Sequence, residues 1–262
     1  MSNGAPLRGR AAVITGGGRG VGAAVARRLA SAGASVLVAA RTAVEIEQVA
    51  ARLRDEGYTA HAAKCDVSEE SSVKDLAAAA SDCLGHVDIL INNAGIATAA
   101  PIHKTTLDDW TRMLTVNATG AFLCLKAFLP GMVEHGWGRV VNVASVAGLS
   151  ASRYIAAYAA SKHALVGLTR AAAAEVAARG VTVNAVCPGY IDTELTRETL
   201  ARIVQVTGRS EGAALEAILQ TVPQKRLIEP EEVAETVAFL CLDAARGITG
   251  ESLVIDGGEL RR

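Results

Sequence analysis

The sequence predicts an α/β protein, a doubly wound parallel sheet with helices on both faces. Three observations lead there. Half of the 262 residues are apolar but only 3% are aromatic, so alanine, valine and leucine fill the core, as suits helices packed closely on a parallel sheet. Short β-branched runs alternate with stretches of helical period from end to end. A glycine cluster also stands between the first such run and the first helical stretch, where the chain must turn sharply.

In chain order, AAVIT (11–15), SVLVAA (35–40), DILIN (88–92), RVVNVAS (139–145) and VTVNAV (181–186) read as strands buried on both faces. The stretch 59–64 carries a weaker pattern and is read as a further strand, and SLVID (252–256) as the last. Helical stretches cover 20–32, 43–56, 69–84, 106–134 and 154–179, and Pro230 opens another over 230–241. No linker, repeat or low-complexity segment intervenes, so 1–262 is read as one domain. The one long departure, 190–225, is expected to be a helical lid at the C-terminal edge of the sheet. Its two patterns, TRETLARIVQV and SEGAALEAILQTV, meet at Gly208. Their apolar stripes (Leu200, Ile203, Val204; Leu215, Ile218, Leu219) are expected to fold over an acyl chain.

Lys+Arg of 26 against Asp+Glu of 27, with no run of like charges, gives no reason to expect nucleic acid or a membrane surface as partner. The opening MSNGAPLRGR has no apolar signal core, and no uninterrupted apolar run reaches membrane-spanning length, so a soluble, cytoplasmic protein is expected. The five cysteines are scattered and read as buried free thiols. None of the five histidines stands at metal-ligand spacing, so no metal is expected.

VITGGGRGVG (13–22) puts Gly16, Gly20 and Gly22 directly after the first strand and at the start of the first helix. Glycines there let the backbone approach a pyrophosphate, which a helix N-terminus stabilises. This is a Rossmann-like arrangement, although the spacing Gly-x-x-x-Gly-x-Gly is one residue longer than the common fingerprint. The second strand ends VAAR. It offers no acid for a ribose 2′-hydroxyl but an arginine, Arg41, and Arg19 inside the glycine loop could close on the same phosphate. The cofactor expected is NADP(H).

Within YAASK (158–162), Tyr158 and Lys162 are four residues apart and share one helix face. A free tyrosine has a pKa of about 10. A positive charge about 4 Å away, at an effective dielectric of about 20, is worth roughly 4 kcal/mol, or about three pKa units. Lys162 is therefore expected to lower the Tyr158 pKa, with burial opposing it. Tyr154 has no such partner, because Tyr158 occupies its own i+4 position. The pair alone is weak, being common on exposed helices. Ser145 strengthens it, lying just past a strand at the C-terminal sheet edge, where α/β proteins place their ligands. Asn117, in TVNATGAF, interrupts a helix and also reads as a poor helix former tolerated by packing.

Together with CDV (65–67), NNAG (92–95), VNATG (116–120), NVASVAG (142–148), NAVCPGYIDT (184–193) and DGG (256–258), these motifs resemble the short-chain dehydrogenases/reductases over nearly the whole chain. The resemblance implies Tyr158 as general acid/base and Lys162 as the residue that lowers its pKa and binds the nicotinamide ribose. It implies that Ser145 orients the carbonyl and that Asn117 holds a water in the proton relay. The cofactor would lie against Gly16, Gly18, Arg19, Gly20, Val21, Gly22 and Arg41. Further along it would meet Asp66 and Val67 at the adenine, then Asn93, Ala94, Gly95, Pro188, Gly189, Ile191 and Thr193. Ser145, Ala147, Leu149, Tyr158 and Tyr190 would face the substrate, with Ile96 in the pocket wall. VAS in place of the commoner ISS is a small departure.

Among its members the chain looks most like 3-oxoacyl-thioester reductases and polyketide ketoreductases. This implies a substrate carried on acyl carrier protein or CoA, whose phosphates Arg197, Arg202 and Arg209 could meet unless they only form a solvated face. It also implies a homotetramer built across helices 106–134 and 154–179. Two other readings stand beside it. One is an NAD-dependent 3-hydroxyacyl-CoA or 3-hydroxybutyrate-type dehydrogenase working oxidatively. The other is a non-enzymatic NADP-binding regulator, which would have no need of Asn117, Ser145, Tyr158 and Lys162 together.

Overall fold

Residues 5–260 are described by the computed structural model; the first four residues of the polar opening stretch and the last two of the chain lie outside them. The β-branched runs become β1 (Ala11–Thr15), β2 (Ser35–Ala40), β3 (Ala60–Lys64), β4 (Ile89–Asn92), β5 (Gly138–Val143), β6 (Val181–Pro188) and β7 (Ser252–Ile255). All pair in parallel, in the order β3-β2-β1-β4-β5-β6-β7. The helices are α1 (Gly20–Ser31), α2 (Ala43–Asp55), α3 (Glu70–Leu84), α4 (Leu107–Leu114), α5 (Gly120–His135), α6 (Ala156–Val176), α7 (Glu194–Thr207), α8 (Glu211–Thr221) and α9 (Pro230–Cys241).

Successive strand residues face opposite ways. Ile14, Val36, Val38 and Ile91 thus join Val25 and Leu29 of α1, Ile46 of α2 and Val237 of α9 on one face. Val13, Leu37 and Leu90 join Leu76 of α3, Phe128 and Met132 of α5 and Val176 of α6 on the other. The strand order reverses between β1 and β4, which opens a crevice at their C-terminal ends. Thr15 and Asn92 pair at that point, so the glycine loop and NNAG meet there.

Three boundaries differ from the sequence reading for local reasons. β5 stops at Val143, and Ser145 leads instead into a short 3₁₀ turn, Val146–Gly148. The helix expected from 154 starts at Ala156, because Tyr154 holds a left-handed φ of 72° that no helix accepts. The stretch 106–134 divides into α4 and α5 around a π turn, Thr115–Thr119, with Asn117 at its centre. Within Leu107–His135 an 18-residue window has a mean hydropathy of 1.4, long and apolar enough by length and composition to cross a membrane. In this fold the second half of Leu107–His135 is a core element.

The 190–225 stretch forms α7 and α8, as expected, but the apolar stripes are largely consumed between the two helices. Leu200, Ala214 and Ile218 are buried together, with Tyr190, Ile203, Val204 and Leu215 packed against them.

Candidate functional site

The crevice begins at the glycine loop. Gly16 sits at a φ of 63°, and a Cβ on Gly22 would lie 2.2 Å from the Gly16 carbonyl oxygen, so neither position accepts a side chain. The loop is held from β4. Asn93 Nδ2 donates to the carbonyls of Thr15 (3.1 Å) and Gly16 (3.0 Å), while Thr15 Oγ1 accepts from the amides of Asn93 and Ala94. Asn93 is thus a clamp on the loop, its amide already committed. The N-cap of α1, Arg19, makes no side-chain capping bond, and the first turn holds no acid. Free amides and an unopposed helix dipole make this end fit a pyrophosphate. From the other side Thr193 leans on the loop, 3.2 Å from where a Cβ on Gly20 would stand.

At the far end of β2, Arg41 is exposed. Burial pushes the Asp66 carboxyl up, but hydrogen bonds from the Ser68 hydroxyl (2.6 Å) and amide (3.0 Å), and the Arg41 charge nearby, hold it below the usual carboxylate range. Val67 is pressed by Gly120, where a Cβ would come within 2.7 Å of it. One acid escaped the sequence reading. Glu45, in the first turn of α2, brings a carboxylate oxygen to 3.2 Å from the Cβ position of Gly18. It lies five residues past the end of β2, so a search confined to that end cannot find it.

Asn117, Ser145, Tyr158 and Lys162 do converge. The Lys162 side chain is 5% exposed and its Nζ donates to the Val143 carbonyl at 2.9 Å. Asn117 mimics a strand neighbour: Oδ1 accepts from the Ile96 amide (2.8 Å), and Nδ2 donates to the Ile96 carbonyl (2.9 Å) and to Ser161 Oγ (3.0 Å). Gly95 lies between them, its Cβ position 3.3 Å from Asn117 Oδ1 and 3.6 Å from Lys162 Nζ. Ser145 Oγ accepts from the Ala147 amide (3.1 Å). Ala147 is itself buried, and Leu149 packs partly on Ala144, Leu165 and Val166. Ser161, whose hydroxyl ties Asn117 to the Tyr158 carbonyl (2.7 Å), was missed. Its only sequence signal is one polar residue inside the alanine run of YAASK.

The electrostatics correct one expectation. Lys162 Nζ lies 5.9 Å from the centre of the Tyr158 ring, and the Tyr158 pKa is raised, not lowered. Burial raises it most, the Ser145 hydroxyl pulls it down, and Tyr190 and Cys187 add to the rise. Burial also brings Lys162 down to about 8. A full charge about 4 Å from the phenol would lower its pKa; here the ammonium is turned to the Val143 carbonyl and desolvation wins.

Around this floor, Pro188 closes β6, the Gly189 amide donates to Ile255 (2.9 Å), and the Ile191 carbonyl accepts from Thr196 Oγ1 (2.5 Å). Burial raises the pKa of Tyr190, under the lid, and Glu259 adds to this. Arg197 is paired with Asp192 (3.1 Å) and Glu194 (3.5 Å), and Arg202 donates to Thr98 across the mouth (2.9 Å). Both are therefore already engaged within the chain.

A protein with this geometry has relatives. The short chain dehydrogenase family profile matches residues 10–213. A putative ketoacyl reductase of the granaticin polyketide synthase from Streptomyces violaceoruber is 39% identical, over 94% of this chain and 92% of the relative. A D-beta-hydroxybutyrate dehydrogenase from Rhizobium meliloti is 37% identical, over 95% and 98%. A solved actinorhodin polyketide ketoreductase with NADPH superposes with a TM-score of 0.93 at 36% identity, over 95% of this chain and 97% of that one. With a strand-order crevice, a glycine loop and a convergent Ser-Tyr-Lys-Asn set, the chain belongs to the short-chain dehydrogenase family and is an oxidoreductase acting on a ketone or its alcohol.

Proposed function

We propose that this protein uses NADPH to reduce a ketone to a secondary alcohol, the ketone being the 3-oxo group of an acyl thioester or a polyketide. The observation that carries this reading is the convergence of Ser145, Tyr158 and Lys162, with Lys162 Nζ 5.9 Å from the Tyr158 ring centre and the Ser145 hydroxyl beside the phenol. The neutral phenol would give its proton to a carbonyl oxygen, and burial, which raises its pKa, works against that transfer. Bound NADPH would supply the hydride. Ser145, whose Oγ already accepts from Ala147, donates its own hydrogen to the substrate oxygen and holds it beside the Tyr158 hydroxyl. Lys162 keeps two ammonium donors beyond its bond to Val143, enough to hold ribose hydroxyls and a proton path. Both donors of the Asn117 side chain are used and its Oδ1 accepts once, so a water in the proton relay would be held there only through the remaining oxygen lone pair or through the main chain of the π turn.

Arg41, exposed at the end of β2, supports the 2′-phosphate and hence NADP(H). The pairing of Arg197 and Arg202 within the chain weakens the case for a carrier phosphate at the mouth, though exposed pairs exchange at little cost. We further infer a single catalytic domain with a lid at 190–225, cytoplasmic and homotetrameric. Exposed apolar side chains on α4 and α5 (Leu107, Trp110, Phe122) support association there.

Glu45 favours a second reading. A carboxylate at the glycine loop suits a ribose 2′-hydroxyl, and with it an NAD-linked hydroxyacyl or hydroxybutyrate dehydrogenase. Steady-state kinetics with acetoacetyl-CoA and acetoin, each with NADPH and NADH, separate the two. NADPH and the thioester are expected to win. At least tenfold preference for acetoin rejects the substrate class, and equal or better use of NADH rejects the cofactor.

A further inference from the structure

The adenosine end of the crevice carries a positive charge that neither the glycine loop nor β2 supplies. A cavity of about 290 Å³ lies between Arg41 and Ser68 on one wall and Asp108, Thr111, Arg112 and Thr115 on the other. Arg112 belongs to the last turn of α4 and lines the cavity together with Val116 of the π turn. Both guanidiniums are exposed, and neither forms an ion pair or a side-chain hydrogen bond among the described residues. Two cations on one cavity repel each other, and an anion of more than one charge between them reverses the sign of that energy. The hydroxyls of Thr111 and Thr115 add neutral donors, while that of Ser68 is already given to Asp66. Two carboxylates oppose this: Asp108 in the wall, which stands one turn before Arg112 without pairing to it, and Asp66, bonded to Ser68 and near enough to Arg41 to feel its charge.

We propose that Arg112 is a second determinant of cofactor choice, closing with Arg41 on the adenosine 2′-phosphate of NADP(H) from the α4 wall. This rests on the reading of NADP(H) as cofactor. The consequence reaches beyond affinity. α4 leads directly into the π turn that holds Asn117, so a phosphate gripped at Arg112 would also fix the helix that carries that residue to the reaction centre.

Isothermal titration tests this without turnover, using NADPH, NADH, 2′,5′-ADP and 5′-AMP as probes. Arg112→Ala is expected to weaken NADPH and 2′,5′-ADP by about tenfold or more, the usual worth of a charged hydrogen bond. NADH and 5′-AMP should stay within about twofold, and Arg112→Lys should restore part of the loss. The residue is exposed, so folding should survive; matching melting curves check this. Equal weakening of NADPH and NADH would mean that Arg112 touches the adenine or only supports the wall, and would overturn the proposal. So would unchanged NADPH binding in a wild type that prefers NADPH. A wild type that binds NADH as tightly as NADPH instead overturns the cofactor reading itself, whatever Arg112→Ala does.

Discussion

Burial acts on Tyr158 and Lys162 in opposite senses, holding the phenol proton and loosening the ammonium proton. Tyr158→Phe should therefore cut turnover by about 10²–10⁴-fold, the usual range for a general acid, while NADPH titration stays near wild type. Tyr154→Phe is the control and should be mild, since Tyr154 is 58% exposed. Residual activity within about twofold in Tyr158→Phe would assign the proton to another group. For Lys162, a folded pKa of about 8 lies below the ordinary value of 10.5. The unfolded chain thus holds this proton more tightly between those pH values. The destabilisation from Lys162 is complete below pH 8 and fades as pH climbs towards 10.5. Lys162→Met should accordingly melt higher than wild type at pH 7, by about 1–2 kcal/mol after the lost bond to Val143 is deducted. The gain should shrink at pH 10. For the active enzyme, kcat/KM for reduction should fall as pH rises through about 8, since it reports the free enzyme.

At the scale of single elements, the π turn and the lid differ in how firmly they are held. Asn117→Ala would leave both main-chain groups of Ile96 and the Ser161 hydroxyl without their partner. A loss of about 2–3 kcal/mol is expected in denaturant unfolding, together with reduced turnover. A cost under about 0.5 kcal/mol would mean that water replaces the amide without penalty. The lid rests on a small cluster around Leu200 and Ile218 and on exposed links, Arg202 to Thr98 at 2.9 Å and Arg19 to Glu198 at 3.9 Å. Such links are worth at most about 1 kcal/mol each. Amides of α7 and α8 should therefore exchange hydrogen by local opening, well before those of β1, β4 and β5. Uniform protection across lid and sheet would refute this.

Over the whole molecule, the sheet was readable because strands covered on both faces need unbroken apolar runs; the SVLVAA run is β2 to the residue. The convergence of Ser145, Tyr158 and Lys162 was readable too, since Ser145 follows a strand end and the other two share the first turns of one helix. What one dimension hides is what distant segments do to each other. Examples are Asn93 clamping Thr15, the Val143 carbonyl capturing Lys162, Glu45 reaching the glycine loop and the depth at which Tyr158 sits. A single apolar period over 106–134 likewise conceals a change of helix type. The outer face of the same stretch bears on assembly. Leu107 is 77%, Phe122 48% and Trp110 38% exposed, apolar side chains that an apposed subunit would cover. Light scattering should report a tetramer at micromolar concentration, and Phe122→Glu should shift it towards smaller species. A wild-type monomer would reject the assembly.

The π turn spends one residue more than an α-helix would need to cover the same height. Each residue advances a helix by about 100°, so the surplus sets the phase between two faces of one continuous rod. Upstream, Thr111 and Arg112 address the crevice; downstream, Phe128 and Met132 address the sheet. Removing one residue from Thr115–Thr119 would bring the rod back to regular winding, and the two addresses could no longer both be met. The larger buried face of α5 would keep its seat and α4 would swing. A deletion of Ala118 should then give a protein with its far-ultraviolet spectrum nearly intact, and with cofactor binding and turnover lost together. Retention of either would show that the rod absorbs the missing residue elsewhere.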